Sequence, residues 1–331
     1  MKTYITHTTE NYEECVINLA TSLSKYSKHP LIVYTVDYDG SPELRKLALC
    51  IRLDLNVPPP ASEDLGGEDG LLYVNRHTYR TYLALSSKID CMLHTSKELG
   101  IEEWVYLDGD CIANINIDSI FNYSHLAIDY PIATLGPFPF VCIRGGDIPP
   151  KAILDKHGWR GNPYHKEDGT SDYTACLEWP LMEFFGLEPI VRENKSYKTT
   201  NILLGTNKNI EFLQLWKDVK DLLPKITKLN WYAPFHEETI YNVLTYKYPY
   251  HHHMPKVYIN IDSAEGVTHY LNHEFGREYN SGIDIDPQTG KPMKEFLSYP
   301  SDKDDIKVFH GEKRKSEAKK IFNILDRLKN E

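Results

Sequence analysis

Long apolar runs are missing from the sequence: nothing in it approaches the ~20 consecutive apolar residues of a membrane-spanning helix, and the opening MKTYITHTTENY carries no apolar leader segment. The expectation is a cytoplasmic protein with no transmembrane segment. Paired cysteines are missing too. The six cysteines, Cys15, Cys50, Cys91, Cys111, Cys142 and Cys176, are scattered with no C-x-x-C among them, which argues against a zinc cluster and a disulfide framework. Positive charge is in deficit, 37 Lys and Arg against 47 Asp and Glu, for a formal net charge of -10. No nucleic-acid footprint is available on that balance, so a nucleic-acid partner is not expected. An acidic protein that binds a polyanion must concentrate its cations or borrow a metal ion. The glycine-rich G-x-G-x-x-G and G-x-x-x-x-G-K-[ST] signatures are absent, as is H-E-x-x-H, which removes most of the weight from dehydrogenase, P-loop kinase and zincin readings.

What is present is globular. Over 331 residues the chain is 41% hydrophobic and 25% charged, enough for one large domain or two small ones, without internal repeats or low-complexity tracts. Residues 3 to 7, TYITH, read as a strand, and apolar Tyr12, Val16, Leu19, Leu23 and Tyr26 follow at helical spacing. PLIVYTV, 30 to 36, is a continuous apolar run suited to a buried parallel strand, ending at Asp37. A β-α-β unit therefore opens the chain and brings Thr6 to Thr8 and Asp37 to one sheet edge. Helical patterning resumes through residues 76 to 99 and stops at Gly100, ahead of a strand over 104 to 107. From about 131 to 180 the pattern breaks into Gly, Pro and aromatic residues, the mark of long functional loops. Regular structure returns with TTNILLG, helices in NIEFLQLWKDVKDLL and EETIYNVLTYKY, strands in KVYINI and IKVFHG, and a terminal helix in SEAKKIFNILDRL.

The strand over 104 to 107 runs straight into Asp108-Gly109-Asp110. Burying an unpaired carboxylate is strongly unfavourable, so two acids at a strand end are either solvated in a turn or neutralised by a cation. Taken alone, D-G-D fits an ordinary acidic turn better. Two carboxylates converging beyond a strand also suit a hard divalent ion, Mn²⁺ or Mg²⁺, that binds phosphates as well. Far downstream, His310 follows Val308-Phe309 and precedes Gly311 and Lys313, supplying an imidazole and an ammonium in one short segment.

Together VYLDGD, the opening strand and helix, NILLG, ETIYN and VFHGEKRK resemble the nucleotide-sugar glycosyltransferases of the GT-A fold, in particular the glycogenin and bacterial galactosyltransferase group of family 8. The resemblance does not cover 131 to 180. It implies an α/β, Rossmann-like GT-A domain with a mixed, mostly parallel sheet flanked by helices, spanning 1 to 331: a nucleotide-binding half to 130, an acceptor-side half over 131 to 315, and a C-terminal helix. It further implies that Asp108, Asp110 and His310 hold Mn²⁺ or Mg²⁺ on the diphosphate of a UDP-sugar. Thr6, His7, Thr8 and Tyr12 would then cradle the uridine, Asp37 would meet the uracil, Arg76 and Lys88 would supply cations, and Gly109, Gly311 and Lys313 would lie against ribose or phosphate. Asn201 would approach the donor sugar. Glu237 and Glu238 stand where retaining relatives carry D-Q ahead of the helix Asn, here Asn242, and are the candidate catalytic acids; the departure from D-Q leaves the stereochemistry open. As plain sequence, the two glutamates in a first helical turn also simply favour the helix dipole. The acceptor, a hydroxyl on a glycan, a lipid-linked sugar or a protein, is sought around Trp159, Tyr164, Asp172, Tyr173, Glu178 and Trp179. Two other readings stay open: a metal-dependent nucleotidyltransferase, against which the lack of a Gly-rich basic loop in THTTENY counts, and a catalytically silent sugar-nucleotide or glycan-binding module.

Overall fold

The computed structural model describes residues 1–55, 84, 87–113, 116–135, 198–222, 236–245, 254, 258–261 and 308–311. The first strand, β1 (Lys2–Thr8), leads through a single 3₁₀ turn (Glu10–Tyr12) into helix α1 (Glu13–Tyr26). Helix α1 opens with Glu13 and Glu14 and carries Lys25 in its last turn, each charge matched to the helix dipole. It buries Val16, Leu19 and Leu23, the face its spacing predicts. Strand β2 (Leu31–Val36) is buried at every position, as a continuous apolar run requires of an inner parallel strand. A short helix α2 (Pro42–Leu47), capped by the Ser41 hydroxyl, then delivers the edge strand β3 (Leu49–Leu53).

Helix α3 (Lys88–Lys97) ends just before Gly100, which sits at φ +60, a left-handed conformation that favours glycine after a helix end. Strand β4 (Glu103–Leu107) follows, then β5 (Cys111–Ala113), a 3₁₀ segment (Asp118–Leu126) and β6 (Ile132–Leu135). Strand β6 pairs with β7 through a register shift between Ala133 and Thr134 and buries Ile132, Ala133 and Thr134, so residues 132 to 135 are a strand where the sequence leads one to expect an irregular stretch. Strand β7 (Lys198–Thr206), helix α4 (Ile210–Leu222), helix α5 (His236–Thr245), β8 (Tyr258–Ile261) and β9 (Val308–Gly311) complete the described elements. Arg76, Lys313, the aromatic and acidic residues between 159 and 179, and the expected terminal helix lie outside the described residues.

The main sheet runs β3-β2-β1-β4-β7-β6. Strands β3, β2, β1 and β4 are mutually parallel, and β7 runs antiparallel to both β4 and β6. The mixed, mostly parallel sheet flanked by helices that the sequence leads one to expect is therefore what the chain forms. Helix α1 packs with α2 and β5, while α3 packs with α4 and α4 with α5. Between these layers Tyr4, Tyr34, Trp104, Tyr106, Trp216 and Tyr241 are the bulkiest fully buried side chains.

Packing is close where β4 meets β7. A Cβ at Gly205 would fall 2.2 Å from the indole ring of Trp104, its ladder partner. That indole is fully buried and its Nε1 donates to Ser96 Oγ at 2.8 Å, so it has no room to retreat. Gly205→Ala is expected to destabilise the fold by at least the ~1–3 kcal/mol typical of overpacking, read as a lower urea midpoint. An unchanged midpoint would show that the indole can move.

A second, smaller sheet positions the site. Its order is β5-β9-β8, with β5 antiparallel to β9 and β8 parallel to it. The Ser22 hydroxyl of α1 accepts the Ala113 N–H and ties this sheet to the first helix.

Candidate active site

The carboxyl ends of β1 and β4 lie side by side, with Ile5 opposite Tyr106 in the register, so Asp108, just past the end of β4, stands level with His7, which β1 still holds in the sheet. This is the edge where open α/β sheets bind ligands. Asp108 to Cys111 closes as a turn, the Cys111 N–H donating to the Asp108 carbonyl at 3.0 Å, and delivers the chain into β5. A Cβ on Gly109 would stand 2.9 Å from Val16 Cγ2 and 3.3 Å from the His7 carbonyl. Glycine is therefore needed because α1 and the end of β1 press on the turn. The sequence suggests a ligand's close approach there; the structure supplies the protein's own backbone as the neighbour.

Asp108 is held from three directions. Its Oδ1 accepts from the Tyr106 hydroxyl at 2.9 Å and lies 3.4 Å from Lys88 Nζ, while its backbone N–H donates to the Asn201 carbonyl at 2.9 Å. Lys88 stands at the start of α3, where a cation works against the helix dipole. Its surroundings account for that placement: Nζ is also 3.3 Å from Glu237 Oε1 and 3.4 Å from Thr200 Oγ1, and lies over the Tyr106 ring at 5.5 Å. Lys88 is only 5% exposed. Burial opposes its charge, yet Asp108, Glu237 and Glu238 outweigh that penalty, and the ammonium is held protonated well above its ordinary range.

Because β7 runs antiparallel, its first residues reach this same edge. The Thr200 N–H donates to Glu238 Oε2 at 2.7 Å, and the Thr200 hydroxyl donates to the same oxygen at 3.3 Å. One turn further along α5, the Asn242 side chain accepts the Lys198 N–H at 3.0 Å and donates to the Lys198 carbonyl at 2.8 Å. The two adjacent glutamates thus have different surroundings: Glu238 anchors the β7 backbone, and Glu237 faces Lys88.

His7 sits beyond its strand's last apolar residue, with Nδ1 2.9 Å from the Tyr106 hydroxyl and its ring stacked on that phenol at 5.9 Å. Burial first, then the Lys88 charge, push its imidazole down to about 4, so it is neutral at physiological pH. Tyr12 is 45% exposed at the foot of α1, and its hydroxyl is pushed up by burial and next by the charge of Asp110, which places it beside the D-x-D turn. Thr6 and Thr8 of β1 are buried, whereas Tyr12, in the 3₁₀ turn that follows, is exposed. Asp37 takes φ +61 at the end of β2, and its Oδ1 accepts the Leu55 N–H at 2.9 Å, two strands away from Asp108.

The remote histidine arrives through the small sheet. Strands β5 and β9 pair with Cys111 opposite His310, so the histidine backbone stands one residue along from Asp110, and Gly311 pairs with Ile261 of β8. Asp108, Asp110 and His310, some two hundred residues apart in sequence, share one corner of the fold by register. No protein-family model matches the chain, and no curated protein does. Among solved structures it is similar to the crystal structure of the galactosyltransferase LgtC in complex with donor and acceptor sugar analogues, at 11% identity and a TM-score of 0.48, covering 99% of this chain and 96% of that one. An active-site mutant of LgtC is similar at 12% identity and a TM-score of 0.47, with the same coverage.

Two residues of the cluster escape a motif reading, Tyr106 and Thr200. Strand periodicity is the signal that points to Tyr106, since a residue two before Asp108 shares its face of β4. For Thr200 there is none, because its contact to Glu238 spans two elements that only tertiary packing brings together.

Proposed function

We propose that this chain is a glycosyltransferase that moves a sugar from a UDP-sugar to a hydroxyl acceptor, with a divalent ion, Mn²⁺ or Mg²⁺, at Asp108, Asp110 and His310. The observation that carries the reading is the pairing of β5 with β9, which brings His310-Gly311 alongside the D-x-D turn. The donor set fits such an ion in chemistry: hard carboxylate oxygens plus an imidazole suit Mn²⁺. Charge points the same way. Among the described residues the corner gathers Asp108, Glu237 and Glu238 around the Lys88 ammonium, an excess of negative charge that a dication and a diphosphate together would balance.

When bound, the ion would supply electrostatic stabilisation to the departing diphosphate, the place where negative charge builds. The chain's own residues divide the remaining work. Tyr12 offers an exposed aromatic face next to the turn, suited to stacking on a base. Lys88 holds the Glu237 carboxylate at the edge of the sheet, where positive charge develops on the sugar. Glu238 and Asn242 fix the start of β7, and with it Asn201, against Asp108. The resemblance leans towards retention of anomeric configuration, and NMR of the product's anomeric proton distinguishes the two outcomes.

The test is release of UDP from a panel of UDP-sugars. Slow hydrolysis is expected with Mn²⁺, none after chelation, and at least ~10²-fold less in Asp110→Asn. Release of pyrophosphate from a nucleoside triphosphate would instead mark a nucleotidyltransferase. UDP-sugar binding without turnover would mark a silent module, and undiminished turnover in chelator would remove the ion.

A further inference from the structure

We propose that Tyr106, steadied by His7, is a positioning residue that sets the Asp108 carboxylate for a divalent cation. The proposal rests on the reading of Asp108 as a cation ligand given above. Tyr106 is fully buried, and its hydroxyl stands between two groups, Asp108 Oδ1 at 2.9 Å and His7 Nδ1 at 2.9 Å. A buried phenol needs a hydrogen-bond partner, and either one alone would satisfy it. The arrangement goes further, because the same Oδ1 that takes the phenol also faces Lys88 Nζ at 3.4 Å. One carboxylate oxygen is thereby committed to protein groups, and the rotation of the whole carboxylate is set from behind.

His7 contributes in the same direction. It holds the phenol by stacking as well as through its ring nitrogen, on the strand next to β4. The chain of contacts runs from β1 to β4 to the D-x-D turn without passing through a loop, so it is as rigid as the sheet. Groups that hydrogen-bond a metal ligand from behind orient it and tune its basicity, and their loss typically weakens metal affinity ~10- to 100-fold. A tyrosine that merely filled the core would show no such effect, because phenylalanine fills the same space.

The measurement is binding of Mn²⁺ alone to the intact protein, followed by the electron paramagnetic resonance signal of free Mn²⁺. Wild type is expected to show one saturable site that Asp110→Asn abolishes. Tyr106→Phe is expected to keep the wild-type circular dichroism spectrum and to bind ~10- to 100-fold more weakly. Affinity within twofold of wild type would overturn the positioning role while leaving the metal reading intact. Absence of saturable binding in wild type would overturn the metal reading itself, and this proposal with it. Should Tyr106→Phe fail to fold, His7→Gln is the second variant: the Tyr106 to Asp108 bond remains but loses its stacking support, so a measurable loss of Mn²⁺ affinity is expected and unchanged affinity would overturn the role.

Discussion

Lys88→Met should lower the stability of this protein by about 3–5 kcal/mol at pH 7, the loss typical when one partner of a buried ion pair is removed. The side chain is 5% exposed and its ammonium is shared by Asp108 and Glu237. Methionine fills similar space but leaves two partly or wholly buried carboxylates without that cation. Most of the cost comes from those stranded charges rather than from lost packing. The pH dependence follows. In wild type the ammonium's contribution is fully present below the ordinary lysine value of 10.5 and fades only as pH rises through its raised folded value. In the variant, the penalty belongs to ionised carboxylates, so it shrinks as pH falls through the carboxylate range and those groups take up protons. Urea midpoints at pH 7 and near pH 4.5 read this directly. A drop of the same size at both pH values would mean that packing, not charge, was lost.

The same variant ties the fold to the proposed chemistry. A dication at Asp108 and Asp110 would stand in for part of the missing ammonium charge, so saturating Mn²⁺ should raise the melting temperature of Lys88→Met by more than that of wild type. Ligand at 100 times its dissociation constant stabilises by about 2.7 kcal/mol, a size thermal melts resolve. Equal shifts would show that Lys88 and the ion do not share a field. Such a variant would hold the ion yet turn over slowly, because Glu237 has lost the cation that places it.

How far this arrangement is legible in the sequence depends on the range of each interaction. The opening β-α-β unit and the strand ahead of Asp108 are readable because period and apolar run are local properties. Asp108, Asp110 and His310 are readable as residues but not as a site: nothing within ten residues of His310 says that it will pair opposite Cys111. The family resemblance bridges that gap by the order of motifs, and the sheet register supplies the physical reason. Strands β3, β5 and β6 have weak signatures of their own, since each is three to five residues long and leans on a neighbour already in place. The buried Lys88 is the least legible feature. The resemblance offers it as a cation for the donor, and only the tertiary approach of β4 and α5 shows it buried against Asp108 and Glu237.

The adjacent glutamates Glu237 and Glu238 give the last expected result, and here structure separates what sequence leaves equivalent. Glu237→Gln should cut transfer by about 10²–10³-fold, the loss typical when a preorganised charge is removed from where transition-state charge develops. Its carboxylate faces Lys88, and the neutral amide would both weaken that pair and remove the negative charge offered to the sugar. Glu238→Gln should fall far less. Glu238 accepts the Thr200 N–H at 2.7 Å and the Thr200 hydroxyl at 3.3 Å through one oxygen, and a glutamine carbonyl oxygen can accept both in the same place. Glu238→Ala is different again, because it strands the Thr200 N–H and frees the start of β7 beside Asn201; it should lose stability and activity together. Steady-state rates and urea midpoints for the three variants give a pattern: Glu237→Gln slowed far beyond a partial loss of stability, since Lys88 keeps Asp108 as a partner, Glu238→Gln near wild type in both, Glu238→Ala impaired in both. A slow Glu238→Gln with normal stability would reverse the assignment and make Glu238, not Glu237, the acid at the reacting centre.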